Sequence, residues 1–142
     1  MPIKRILVTA SIVFALLWTN SGCAVQYSGH GSDDSAIARA FNTRTSNVQV
    51  EGEGTVERIL ADDLAGGKHQ RFIVRLASGQ TILISHNIDI APRVEGLQEG
   101  ERVSFYGEYI WNSQGGIVHW THHDPQGRHV AGWLKYKEQT YQ

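Results

Sequence analysis

The sequence predicts an all-β fold: a small five-stranded barrel with a short N-terminal helix before it and a packed aromatic C-terminal tail after it. Three observations lead there. From Val48 onward apolar residues recur at every second position, the period of a strand with one buried face. Glycine makes up 15 of 142 residues, above the usual share of about 7%, as tight turns between strands require. One long connection, Asn87 to Glu101, separates the third strand from the fourth, and the others are shorter.

Taken in order, the chain opens with an export segment, Met1 to Ala24. Lys4 and Arg5 give a positive start, Ile6 to Trp18 is largely apolar, and small or polar residues follow. The apolar run is shorter than the roughly 18 to 20 residues of a bilayer-crossing helix. Ser21-Gly22-Cys23-Ala24 resembles the bacterial lipobox, whose cysteine becomes the lipidated first residue, although Asn20 stands where that motif prefers Leu. Lipidation at Cys23, cleavage after Ala24 and an uncleaved anchor are the three outcomes open to the segment. All of them place the domain outside the cytoplasm, in the periplasm or on a membrane through a lipid. Cys23 is the only cysteine, so no intrachain disulfide forms.

Residues 25–47 read as a tether and a short helix. Val25 to Ser32 is rich in Gly, Ser and Gln; Asp33 to Thr45 has Ser32 or Asp33 as a cap and Ile37, Ala38, Ala40 and Phe41 at helical spacing. Residues 48–142 form the barrel domain. Its strands are expected at Val48 to Leu60, Arg71 to Leu76, Thr81 to His86, Val103 to Trp111 and Ile117 to His122. Alternation puts Phe72, Val74, Ile82, Ile84, Val103, Phe105 and Trp120 inside, with His86 on the core-facing side at the end of its strand. Trp133, Leu134, Tyr136 and Tyr141 are too much apolar surface to leave in water, so the tail should pack back on the barrel. Five strands with the long connection after the third, Glu99-Gly100-Glu101-Arg102-Val103 leading into the fourth and Gly107 within it resemble an OB-like, partly open Greek-key barrel.

Charge narrows the partners. Of 13 Lys and Arg, removal of Lys4 and Arg5 leaves 11 against 14 Asp and Glu, a net of −3 with histidine neutral. No basic block stands out, which argues against nucleic acid.

The densest chemistry is His119 to Trp133, HWTHHDPQGRHVAGW, with four of the seven histidines and two of the four tryptophans. Asp124-Pro125-Gln126-Gly127 fits a type I turn. If the flanks pair as a hairpin, His122 lies opposite His129, close enough for two imidazoles to share a metal ion. His86 and His69 flank strands whose ends could meet the turn; either is a candidate third ligand, His86 first because it ends a strand on the core-facing side, and three histidines with a water make a catalytic zinc geometry. The competing reading is that the imidazoles stabilise a polar turn. Trp111, Trp120 and Trp133 are candidates to stack on a sugar or a base. Ser85, His86 and Asp89 have the residue types of a hydrolytic triad, but neighbouring strand residues point to opposite faces. Asp62 and Asp63 read as a solvated loop rather than a cation site.

HWTHHDP at His119 to Pro125, HQRF at His69 to Phe72 and HNIDIAPR at His86 to Arg93 together resemble a small bacterial exported family of unknown function marked by an HWTH motif. The resemblance covers roughly Val48 to Gln142. It implies membership and carries over no activity, ligand or catalytic residue. Two functions follow from the residues themselves. The first is an exported, non-enzymatic cell-envelope binding module whose barrel-mouth site, His119, Trp120, His122, His123, Asp124 and His129, holds a small ligand, a glycan or an envelope protein. The second is a zinc-dependent hydrolase using His86, His122 and His129.

Overall fold

The computed structural model describes residues 34–142. The export segment with Cys23, the tether Val25 to Ser32 and the cap candidates Ser32 and Asp33 lie outside the described residues. A helix, α1 (Asp34–Asn42), is followed by seven strands: β1 (Val48–Ile59), β2 (His69–Leu76), β3 (Thr81–Asn87), β4 (Arg102–Ile110), β5 (Ile117–His119), β6 (Trp133–Tyr136) and β7 (Gln139–Tyr141). Among the described residues no helix is long and apolar enough to cross a membrane.

The first five strands close into a barrel in the order β1-β2-β3-β5-β4, with β4 pairing back to β1. Closure is complete where the sequence suggested a partly open barrel. One side is sealed by the antiparallel β1–β4 ladder, Val48 opposite Tyr109 through Thr55 opposite Arg102. The other is sealed by a short parallel contact of β3 with β5, Leu83 opposite Ile117 and Ile84 opposite Val118. An irregularity between Val56 and Arg58 bends β1, so that one strand serves both β2 and β4.

Alternation sets the core. Phe72, Val74, Ile82, Ile84, Val103 and Phe105 are almost wholly buried, with Val50, Val56, Tyr109, Val118 and Leu134 beside them. Trp120 is the exception to the predicted inside set: it is half-buried. The cause is a break in the strand. β5 ends at His119, three residues before the predicted His122, and Trp120 takes a left-handed backbone with φ 53°. After such a residue inside and outside no longer alternate in step with the strand. Helix α1 packs Ile37 and Ala40 into the core, and the Ser78 amide donates to Asp34 Oδ2 (3.4 Å), which places the helix by the β2–β3 turn. The tail residues form the β6–β7 hairpin on β4, burying Leu134, Tyr136 and Tyr141.

Candidate functional site

The His-rich stretch is a loop let into a strand. Glu108 pairs with His119 on β5 and Tyr106 pairs with Trp133 on β6, so β5 and β6 run along the same side of β4. In an unbroken strand Trp120 would follow His119 opposite Gly107. Instead residues 120–132 leave the sheet at that point and return to it, an Ω-like excursion with its ends together. Gly132 closes the neck: its amide donates to the His122 carbonyl (2.9 Å), and a Cβ there would collide with the Trp120 and Tyr106 carbonyl oxygens. At the tip the predicted turn is present, with the Gly127 amide donating to the Asp124 carbonyl (2.9 Å). Asp124 is fully engaged in building it. Its Oδ1 accepts from the Gln126 amide (2.9 Å) and its Oδ2 from those of Arg128 (2.8 Å) and His129 (3.0 Å).

The loop sends Thr121 and His122 inward. Both are buried, with His86 and Gln70, where β2 begins and β3 ends, at the end away from the β2–β3 turn. His86 is completely enclosed, and its Nε2 donates to the Pro92 carbonyl (3.0 Å). A carbonyl only accepts, so the proton sits on Nε2 and Nδ1 accepts from the Thr121 hydroxyl (2.8 Å). Burial pushes the His86 imidazole down to about 4, so the ring is neutral. Gln70 grips the same crossover, donating to the Val94 carbonyl (3.0 Å) and accepting from its amide (2.9 Å). His122 packs edge-on against His86 at 6.2 Å between ring centres, and its Nδ1 donates to the His123 carbonyl (2.7 Å). Burial lowers its pKa as well.

On the outer face the order reverses. Glu108, half-buried on β4, takes His119 Nε2 on Oε1 (3.1 Å) and His129 Nε2 on Oε2 (3.0 Å). His129 Nδ1 faces the Val130 carbonyl (2.8 Å). Both His129 nitrogens thus meet acceptors, which calls for two N–H groups and an imidazolium. Burial alone would lower its pKa; the Glu108 hydrogen bond and charge and the Val130 carbonyl turn the net shift upward. For Glu108, burial alone would raise the carboxyl, and the two histidines bring it below the usual value. Trp120 lies flat on His129, ring centres 4.2 Å apart and 9° between planes. An indole face on an imidazolium is a favourable cation–π geometry.

Beside this stack is an open pocket of ≈ 220 Å³ whose wall includes His69, Ser85, Asn87, His119, Trp120 and His122. His69 Nδ1 donates to the Gly67 carbonyl (3.2 Å), and Asn87 Oδ1 accepts from the Asp89 amide (2.9 Å). His69 Nε2, His119 Nδ1, His122 Nε2, the Ser85 hydroxyl and the Asn87 amide nitrogen have no hydrogen-bond partner among the described residues.

The candidates from sequence therefore separate. His119, Trp120 and His122 meet at one pocket; His123 is exposed, and Asp124 and His129 support the loop. The hairpin opposing His122 to His129 is not formed, since the His122 carbonyl is bonded to Gly132. His86, His122 and His129 are not assembled as a metal site either. His86 and His129 have both nitrogens engaged, and among the described residues no three His, Cys, Asp or Glu are placed to hold a metal ion. Ser85 and His86 lie on opposite sides of β3, half-buried and buried, as neighbours in a strand must. Asp62 is paired with Arg93, and Asp63 Oδ1 accepts from the Ala65 amide (3.0 Å). Trp111 packs against the core and donates to the Phe41 carbonyl (3.1 Å), while Trp133 stacks on Tyr106 (6.2 Å).

Glu108 escaped the reading from sequence, though a hairpin about Asn112 to Gly116 places it opposite His119 and so carries the information. His69, the other candidate from sequence for a third ligand, lines this pocket, while Ser85 and Asn87 join the site only through the closed barrel.

The chain belongs to a family described as protein of unknown function (DUF3465), whose model matches residues 18–142. No curated protein matches it.

Proposed function

We propose that the protein is an exported, non-enzymatic binding module of the cell envelope, holding a small ligand, a glycan or an envelope protein at the Trp120 pocket. The observation that carries this reading is the pocket's construction. One wall is an aromatic ring locked in place by the His129–Glu108–His119 array, and the rim keeps several polar groups without partners. Pre-set side chains of this kind favour binding, because little freedom is lost when the ligand arrives. The Trp120 backbone, left-handed at a bulky residue, is a strained conformation that the surrounding contacts hold, and such strain gathers at ligand sites. Export and attachment through Cys23 belong to the same proposal, on the strength of the segment Met1 to Ala24.

Fractionation of a bacterium expressing the full chain tests the first half: recovery in the envelope is expected, with Cys23→Ala releasing the domain from membranes. Cytosolic recovery overturns export. Metal analysis of the purified chain tests the second. Stoichiometric, chelator-removable zinc coupled to hydrolytic activity would replace the binding module with an enzyme.

A further inference from the structure

We infer that the pocket beside Trp120 takes an uncharged, hydroxyl-rich ring, a neutral saccharide unit, packed against the part of the indole that lines it. The inference rests on the binding-module reading and narrows its ligand class. Size comes first: ≈ 220 Å³ is below the roughly 300 to 1,000 Å³ of drug-sized pockets, so a single ring fits and a long apolar chain does not.

Charge comes next. Among the described residues no Lys, Arg, Asp or Glu lines the pocket, so neither a phosphate nor an ammonium group finds a counter-charge there. Glu108 is already engaged by two imidazoles, and Asp89, near Gly67, by the Lys68 amide.

The hydrogen-bonding inventory then selects the ligand's polarity. Nδ1 of His69 and of His122 meet carbonyls and Nε2 of His119 meets Glu108, so His69 Nε2, His122 Nε2 and His119 Nδ1 are each left without a hydrogen-bond partner among the described residues. Three unpartnered ring nitrogens on residues around one small space call for a ligand rich in hydroxyls, which donate and accept alike. The Ser85 hydroxyl and the Asn87 amide, two positions apart on the same side of β3, add donors for the ligand's oxygens. His129 stacks on one face of Trp120 and His122 lies tilted against the ring at 5.3 Å; the part of the indole that lines the pocket is what it offers to the C–H face of a sugar.

The test is titration of the full chain with neutral trisaccharides of glucose and of N-acetylglucosamine, followed by indole fluorescence, with glucosamine and glucuronate oligomers and an uncharged nucleoside alongside. Saturable binding of a neutral saccharide alone is expected. Trp120→Ala should weaken it by about tenfold or more, the range of a lost stacking contact. Because that variant can disturb the loop, Ser85→Ala, at a half-buried position outside the core whose hydroxyl has no partner among the described residues, provides a second reading: it should weaken binding with the thermal midpoint kept. Trp111→Phe, away from the pocket, should bind as the unaltered chain does. Absence of saccharide binding, binding that survives Trp120→Ala, equal affinity for charged sugars or the nucleoside, or a metal ion held by His69, His119 and His122 that excludes the sugar would each overturn the inference. An envelope-located, zinc-free chain that binds none of these sugars sinks this inference alone; a cytosolic chain or a zinc hydrolase sinks the binding-module reading beneath it.

Discussion

His119 and His122 are three residues apart, yet they belong to two environments with opposite electrostatics. The inner set, His86 and His122, is buried and bonds to carbonyls and a hydroxyl, with no carboxylate among its described hydrogen-bond partners, and burial lowers both pKa values. The outer set, His119 and His129, shares the Glu108 carboxylate, and there the pKa of His129 rises. Position relative to one carboxylate, more than residue type, decides whether an imidazole acts as a neutral latch, as His86 does, or a charged strut, as His129 does. The inner set ties the β3–β4 crossover and the loop to the barrel end. The outer set holds the stack that shapes the pocket.

The largest effect should come from a residue in neither set. Phe105→Ala in the shared core should cost about 3 to 5 kcal/mol, seen as loss of the folded signal or a deep fall in chemical-denaturation midpoint. A midpoint close to that of the parent would mean that the faces of β4 are misassigned. His86→Ala comes next, at about 2 to 4 kcal/mol, because it leaves a cavity and strands the Pro92 carbonyl and the Thr121 hydroxyl. His129→Ala, half-buried at the surface, should cost about 1 kcal/mol or less. Equal losses in the two variants would erase the distinction between the sets.

Acid should separate them further. The folded pKa of His86, about 4, is depressed below the ordinary 6.5 of an unfolded chain. Between these values the unfolded state binds the extra proton. The stability His86 contributes is therefore present above pH 6.5, falls as pH drops toward 4, and amounts to up to about 3 kcal/mol. His129 runs the other way: its contribution is present below the unfolded pKa and is lost as pH rises through the raised folded value. Denaturation midpoints of the parent and of His86→Gln across this range check the first slope; the variant should show a flatter acid limb.

The smallest effect is the most local. Glu108→Gln should bring the His129 pKa down while leaving that of His86 where it is, with stability changed by about 1 kcal/mol or less. Histidine NMR titration reads both at once. A His129 curve indifferent to Glu108 would remove the carboxylate from the explanation.

Much of the fold was legible in the chain because a strand's period of two is a local property. Phe72, Val74, Ile82, Ile84, Val103 and Phe105 could be placed inside without knowing any neighbour, and Asp124 to Gly127 marked its own turn. Parity carries only as far as the strand does. At Trp120 the backbone turns left-handed, and from there the sequence no longer says which way a side chain faces. That is why Trp120 was expected in the core and lies half out of it.

What the tertiary structure decided was the sorting of the histidines. Gly107 on β4 leaves room where the His119 carbonyl and Thr121 approach, and Gly132 lets the returning chain meet the Trp120 and Tyr106 carbonyls. These close approaches fix a loop whose ends pair with Glu108 and Tyr106, partners on another strand. Only with that neck closed does Thr121 reach His86, 35 residues earlier, and His129 reach Glu108, 21 residues earlier. Residue types and local periods are written along the chain. The hydrogen bonds that give each histidine its charge and role depend on distances that exist only once the barrel has closed.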